Sequence, residues 1–347
     1  MGHSKRIRAL DSIRGLLLLQ MTLDHFSGPI SHYFYQCFGF FSAAEGFFFL
    51  SGFVGMLAVI SKSSRGEDTG WMRKRAFRIW KFHISTVILL CVLAFLCLPK
   101  IATYFAGFYE HPVLGSFFAA ILAYTPEWLD VLPLYVFLLL LGSFAFPLMV
   151  KGKTKQIWGA SFIVWLLAQG PLRATVLQIF PSWMYAGFFD LFAWQFVYVS
   201  GAAISALWKQ KYSLLESSQT LLDKTSAISV ILCVICFIWS RGFLPAINPP
   251  DFLISKEHVG ILRYLNFMAF VGVISFIVRH KSGLLDFAFT ATLGKHSLEV
   301  YSAHTVCVYL WLATPNPIQG HLPFNLLAPI FCCFILWIIA KLLEKKV

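Results

Sequence analysis

From Val131 to Val150 the chain runs about twenty residues without one charged side chain. That length of α-helix crosses the ~30 Å apolar core of a bilayer. Similar runs recur, and 58% of all residues are apolar while 13% are charged, against roughly 25% charged in a soluble domain. The chain therefore reads as an all-α, polytopic integral membrane protein. A soluble enzyme, a disordered chain and a disulfide scaffold are excluded. No hydrophilic stretch is long enough to bury a core of its own, so a single transmembrane domain over residues 1–347 is expected.

About ten apolar segments are expected to span, near residues 9–28, 38–61, 79–99, 130–150, 157–172, 190–208, 225–242, 260–278, 286–312 and 322–343. Alternate connections differ in charge. One side collects Lys5, Arg6, Arg8, Lys62, Arg65, Arg73, Lys74, Arg75, Arg78, Lys81, Lys151, Lys153, Lys155, Lys209, Lys211, Lys224, Arg279, Lys281, Lys341, Lys345 and Lys346; the other holds Lys100, Arg173, Arg241, Lys256 and Arg263. By the positive-inside rule the first side, with both termini, is cytoplasmic. The net charge of +12 thus serves topology, and nucleic acid is not an expected partner. The positively charged start resembles a signal peptide, yet the following segment carries Asp11, Arg14, Asp24 and His25 and is expected to stay as a helix. Within 100–129, the apolar patch Phe117 to Tyr124 is too short to cross and is expected as an interfacial or re-entrant helix. Most cysteines fall inside apolar spans; Cys233 and Cys236 have the spacing of half a zinc site but no second pair nearby, so no metal is expected.

Ionisable groups inside a span usually face a cavity or a partner. Arg14 and His25 are eleven residues apart, which returns to within ~20° of one helix face and rises ~16 Å. That face either lines a path across the bilayer, or carries an Asp11–Arg14 pair and a capping His25. Asp24, beside His25, and Glu45, at matching depth in the next span, are the carboxylates able to orient the imidazole and stabilise its charged form in general-base chemistry. Gly46, Ser51 and Gly52 form a small-residue track whose other meaning is close helix packing. Trp71 to His83 packs Arg73, Lys74, Arg75, Arg78 and Lys81 into a few turns; this is either a juxtamembrane helix holding anionic lipid or a phosphate clamp.

Arg14 followed by His25, then Gly46-Phe47-Phe48-Phe49-Leu50-Ser51-Gly52-Phe53, then Lys74-Arg75-x-x-Arg78-Ile79, resembles the membrane acyltransferase-3 superfamily. Leu10-Asp11-Ser12-Ile13-Arg14-Gly15, Leu129-Asp130-Val131-Leu132-Pro133-Leu134-Tyr135, Ala193-Trp194-Gln195 and Leu293-Gly294-Lys295-His296-Ser297-Leu298 resemble its OpgC branch. The resemblance implies a ten-helix enzyme of the bacterial inner membrane that moves an acyl group, succinyl in that branch, from cytoplasmic acyl-CoA to a hydroxyl of a periplasmic glucan. It also implies that His25 and Arg14 are essential and that Arg75, Arg78 and the closing His83 belong to a cytoplasmic basic motif. Trp80-Lys81 stands where many members of the wider superfamily have proline.

Physics and resemblance together place CoA phosphates at Arg73, Lys74, Arg75 and Arg78 and the pantetheine arm along Arg14 and Ser51. His25 is the base, with Asp24 or Glu45 in support. Asp130, Tyr135, Trp194 and Gln195, with His304 from the ninth span beside Glu299 and Tyr301, are the candidates for the glycan, by stacking and hydrogen bonding. A succinyl donor calls for an outer cation, from among Arg173, Arg241, Lys256 and Arg263. The rival expectations are an O-acetyltransferase of another surface glycan, a proton-coupled transporter or flippase, and, last, a structural anchor.

Overall fold

Leu, Phe, Val and Ile in long uncharged runs leave the backbone no partner but itself in lipid, and the helix satisfies every interior N–H and C=O. In the computed structural model residues 8–26, 28–67, 70–210, 219–243 and 248–345 are described, with the side chains of residues 209–210, 219–224 and 282 also outside the description. Lys5, Arg6, Lys211 and Lys346, and the side chains of Lys209 and Lys224, fall outside it. Among the described residues the regular structure is helical, and one isolated bridge joins Thr125 and Ala186.

Among the described residues six stretches are long and apolar enough to cross a membrane: Ala43–Ser63, Trp71–Leu96, Val131–Ala168, Leu191–Trp208, Ile261–Lys281 and Leu322–Glu344. This is a multi-pass membrane protein. The Val131–Ala168 stretch is broken at the exposed Lys151-Gly152-Lys153 turn, where Gly152 has φ +88°. That conformation strains any residue with a Cβ.

The structure corrects several expected boundaries. The first span ends at His25, and after Gly28 at φ +118° a short helix Pro29–Phe34 follows. The second starts at Ala43 instead of 38, because Gln36 (φ 52°) and Gly39 (φ 118°) turn the chain first. The third begins in the basic segment, so that Trp71–Leu96 is one helix of 26 residues. The ninth is two helices, Ala288–Lys295 and Ser297–Ala313, separated at His296 (φ −108°, ψ 34°). In the 100–129 segment the helix is Pro112–Ala120; Leu122 at φ 64° ends the proposed 117–124 element early.

The chain forms two compact units, residues 1–47, 216–250 and 261–347 in the first and residues 48–215 and 251–260 in the second. In the first unit Arg8–His25 packs on Ala288–Lys295. Gly15 faces the Thr290 carbonyl and Gly294 the Asp11 carbonyl so closely that a Cβ at either position would collide with backbone, and Ser12 Oγ meets Thr290 Oγ1 at 2.6 Å beside this crossing. Two of the OpgC-like motifs are therefore the two sides of one contact. Gly294→Ala is expected to cost at least the ~1–3 kcal/mol of an overpacked core, because the obstacle is backbone and not a movable side chain. Its melting temperature in detergent, set against that of exposed Gly283→Ala, checks this.

The second unit uses the same device: a Cβ on Gly52 would strike the Tyr198 carbonyl, and one on Gly201 the Phe49 carbonyl. Trp71–Leu96 packs along Val131–Leu148, with Met72 Cε 2.7 Å from where a Cβ on Gly142 would stand. The Arg73–Arg78 and Lys151–Lys155 segments consequently share one end of this unit.

Candidate functional site

His25 closes the helix that carries Arg14 and Asp11, because the chain beyond it bends to Gly28 and Pro29. Its Nδ1 lies 3.0 Å from Nε2 of His304, with ring centroids 5.1 Å apart. His304 is buried in Ser297–Ala313, one turn beyond Tyr301, whose ring is 5.8 Å away. A hydrogen bond between two ring nitrogens needs one N–H and one lone pair. With the proton on His25 Nδ1, its Nε2 carries a lone pair, which is the form a general base needs. His304, expected among the glycan contacts, is instead the hydrogen-bond partner of His25.

The two candidate carboxylate residues have different surroundings. Asp24 offers its backbone carbonyl to Ser31 Oγ at 2.6 Å and so ties the Pro29–Phe34 helix to the end of the first. Glu45 is fully buried: Oε1 accepts from Arg263 Nε, and Oε2 accepts from both the N–H and the hydroxyl of Ser42, each at 2.9 Å. Ser42-Ala43-Ala44-Glu45 is a capping box, in which the third-position carboxylate satisfies the N–H of the residue before the helix. Glu45 therefore serves Arg263 and the helix start, which corrects its placement as support for His25. The S-x-x-E spacing was the signal for this. Arg263 was missed as its partner because it lies 218 positions away. Asn266, one turn beyond Arg263, accepts from Phe40 N at 2.7 Å and secures the same turn. Arg14 and Asp11 are both buried, 3.9 Å apart on adjacent turns.

In the second unit Arg73, Lys74, Arg75 and Arg78 are all exposed on the first two turns of Trp71–Leu96, beside Phe77 stacked on Trp80. Four cations in two turns can meet several phosphate oxygens at once. His83 is not part of that surface. It is fully buried on the helix face shared with Met72, Ala76 and Ile79, and both ring nitrogens lack a hydrogen-bond partner among the described residues. Ser51 Oγ is likewise buried and without a partner there.

The residues expected to meet the glycan are mostly internal. Trp194 is fully buried and donates its indole N–H to the carbonyls of Lys256 and Glu257. Gln195 is held by Ser161, at 2.6 and 2.8 Å, and Tyr135 is buried within Val131–Leu148. Asp130 accepts the Phe188 N–H at 2.8 Å, and burial pushes its carboxyl up from the usual range while that N–H opposes the shift. Trp194 and Asp130 brace loops and Gln195 ties its helix to Thr154–Ala168, and stacking of a sugar on Trp194 is ruled out by its burial. Among the outer cations, Arg173 pairs with Glu257 and Arg263 with Glu45, whereas Arg241 donates to the carbonyls of His32 and Tyr33 at 3.3 and 3.1 Å.

The OpgC protein family model matches residues 5–346. No curated protein and no solved structure matches the chain. The match takes in both compact units, the paired histidines and the basic helix: the chain belongs to the OpgC family, and that membership makes it a membrane transferase.

Proposed function

We propose that the protein is a membrane O-acyltransferase of the bacterial inner membrane, moving an acyl group, succinyl before acetyl, from cytoplasmic acyl-CoA to a hydroxyl of a periplasmic glucan. The observation that carries this is the 3.0 Å contact between His25 Nδ1 and buried His304 Nε2. A protonated Nδ1 leaves Nε2 as the only basic nitrogen of the ring, and the neighbouring imidazole accepts the hydrogen bond that strengthens when the ring becomes charged.

His25 Nε2 takes the proton of the sugar hydroxyl as its oxygen bonds to the thioester carbonyl carbon. The C–S bond breaks, and His25 returns that proton to the departing thiolate, so the products are an ester and free CoA. No covalent intermediate on the protein is needed. Arg73, Lys74, Arg75 and Arg78 hold the donor's phosphates, and Arg14 acts along the donor's arm.

His304→Ala is expected to lower kcat by roughly tenfold, the worth of one charge-assisted hydrogen bond. It should also move the alkaline-rising limb of the pH profile, while His304→Gln, which keeps an acceptor, recovers part of the rate. A loss in KM alone would remove His304 from the step. For a succinyl donor we assign the free carboxylate to Arg241, whose hydrogen bonds go to carbonyl oxygens on the short helix that follows His25. Arg241→Gln should shift the succinyl-to-acetyl preference by about tenfold towards acetyl.

The test is transfer of labelled succinyl and acetyl groups from their CoA thioesters to a glucan by the purified, lipid-reconstituted protein. Preference for succinyl supports the full proposal, and preference for acetyl keeps the chemistry and changes the donor. Failure of both donors to react or bind overturns it.

A further inference from the structure

At the end of the second unit opposite the Lys151–Lys155 turn, the segment 256–259 is fixed through its own carbonyls. Trp194 Nε1 donates to Lys256 and Glu257 at 3.1 and 3.0 Å, Gln169 Nε2 to His258 at 2.8 Å, and Trp165 Nε1 to Val259 at 2.9 Å. Val259 sits at φ 50°, a conformation that a β-branched residue adopts only when its surroundings impose it. Side chains carried by this rigid segment are tied to its neighbours in turn. His258 Nδ1 is 3.0 Å from the buried Asp190 carboxylate. Arg173 pairs with Glu257 and also donates to the carbonyls of Gly187 and Phe188. Lys256 Nζ stands over the Phe188 ring, 5.9 Å from its centroid.

What these bonds leave outward is a mixed face. Glu257 and His258 are each about a third exposed, with His258 Nε2 3.7 Å from Glu257 Oε1. Tyr185 and Phe188 beside them are 39% and 40% exposed. Burial and the nearby Asp130 and Glu127 carboxylates push the Tyr185 phenol up to about 12, so it remains a neutral donor.

The geometry points to a platform for a neutral saccharide, on which sugar rings lie against Tyr185 and Phe188 while their hydroxyls bond Glu257 and His258. Aromatic faces flanked by donors and acceptors suit a ring whose flat side is C–H and whose edge is O–H. Among the described residues Arg173 is paired with Glu257, His258 meets the Asp190 carboxylate and Lys256 stands over the Phe188 ring, so each basic side chain of this face already has a contact within the protein. Holding the segment in one conformation before binding lowers the entropy lost on association. The acceptor proposed above is what would occupy it; the identity of the ligand rests on that proposal, the binding itself does not.

The experiment is binding of neutral gluco-oligosaccharides to the purified full-length protein without any acyl donor, read by calorimetry, beside acyl-transfer kinetics. Tyr185→Ala and Phe188→Ala should each weaken binding by roughly 3- to 10-fold and raise the glucan KM alike, with kcat and the donor KM unchanged. Phe95→Ala, an exposed ring on the helix Trp71–Leu96, should change neither. A wild-type protein that binds no oligosaccharide, or variants that bind as wild type does, overturns the platform even if transfer proceeds. So does a loss confined to binding of anionic lipid vesicles, which would make the two rings a membrane contact. Oligosaccharide binding that falls in both variants, in a protein that transfers no acyl group, would keep the platform and sink the acyltransferase proposal.

Discussion

His25→Ala is expected to lower kcat/KM for acyl transfer by roughly 10²–10⁴-fold, the usual worth of a positioned general base. The loss should appear in kcat, with donor affinity intact, because Arg73, Lys74, Arg75 and Arg78, the cations proposed to hold the donor's phosphates, lie on a different helix in the other unit. Folding should suffer little: the hydrogen bond to His304 that the variant loses is worth about 1 kcal/mol. Melting in detergent beside single-turnover kinetics separates the two effects. A variant that still transfers at a tenth of the wild-type rate would mean that the proton goes elsewhere, and the histidine pair would then be a packing feature.

The second large effect falls on stability. Glu45→Ala is expected to cost about 3–5 kcal/mol, because it strands the Arg263 guanidinium in a fully buried position without a counter-charge. It also removes the acceptor for the Ser42 N–H at the start of Ala43–Ser63, adding roughly 1 kcal/mol of lost capping. Replacing both partners with apolar groups, Glu45→Leu with Arg263→Met, should restore much of the loss, since the penalty comes from the unpaired charge and not from the missing attraction. The measurement is the yield of monodisperse protein and its melting temperature for the two single variants and the double. If Glu45→Gln folds like wild type yet loses transfer with an altered pH profile, the carboxylate acts on the imidazole after all.

These two predictions also mark where the sequence was readable. Long uncharged runs such as Val131–Val150 fixed the solvent and, through it, the helix, because lipid leaves the backbone no other way to pair its polar groups. Arg14 and His25 share a face by helical periodicity alone, and the four exposed cations from Arg73 to Arg78 need nothing but local spacing. The boundaries failed where conformation was decided at one residue, as at Gln36, Gly39 and His296, and where Leu122 closed a helix expected to continue.

The sequence by itself determined the membrane class, the helical fold, the family-like order of motifs and the basic helix, since each follows from composition or from neighbours within a few turns. The tertiary structure alone decided the partners. It joined His25 to His304 across 279 positions and Glu45 to Arg263 across 218. It turned Trp194 from a candidate sugar contact into a loop brace and Gln195 into a tie between two helices, and it buried His83 below the cationic surface to which it had been assigned. The physical reason is common to the first three. An intramembrane polar group must find a partner or be buried with one, and which partner it meets depends on helix crossings set by glycine contacts such as Gly15 with Thr290 and Gly294 with Asp11. Spacing along the chain carries no record of those crossings.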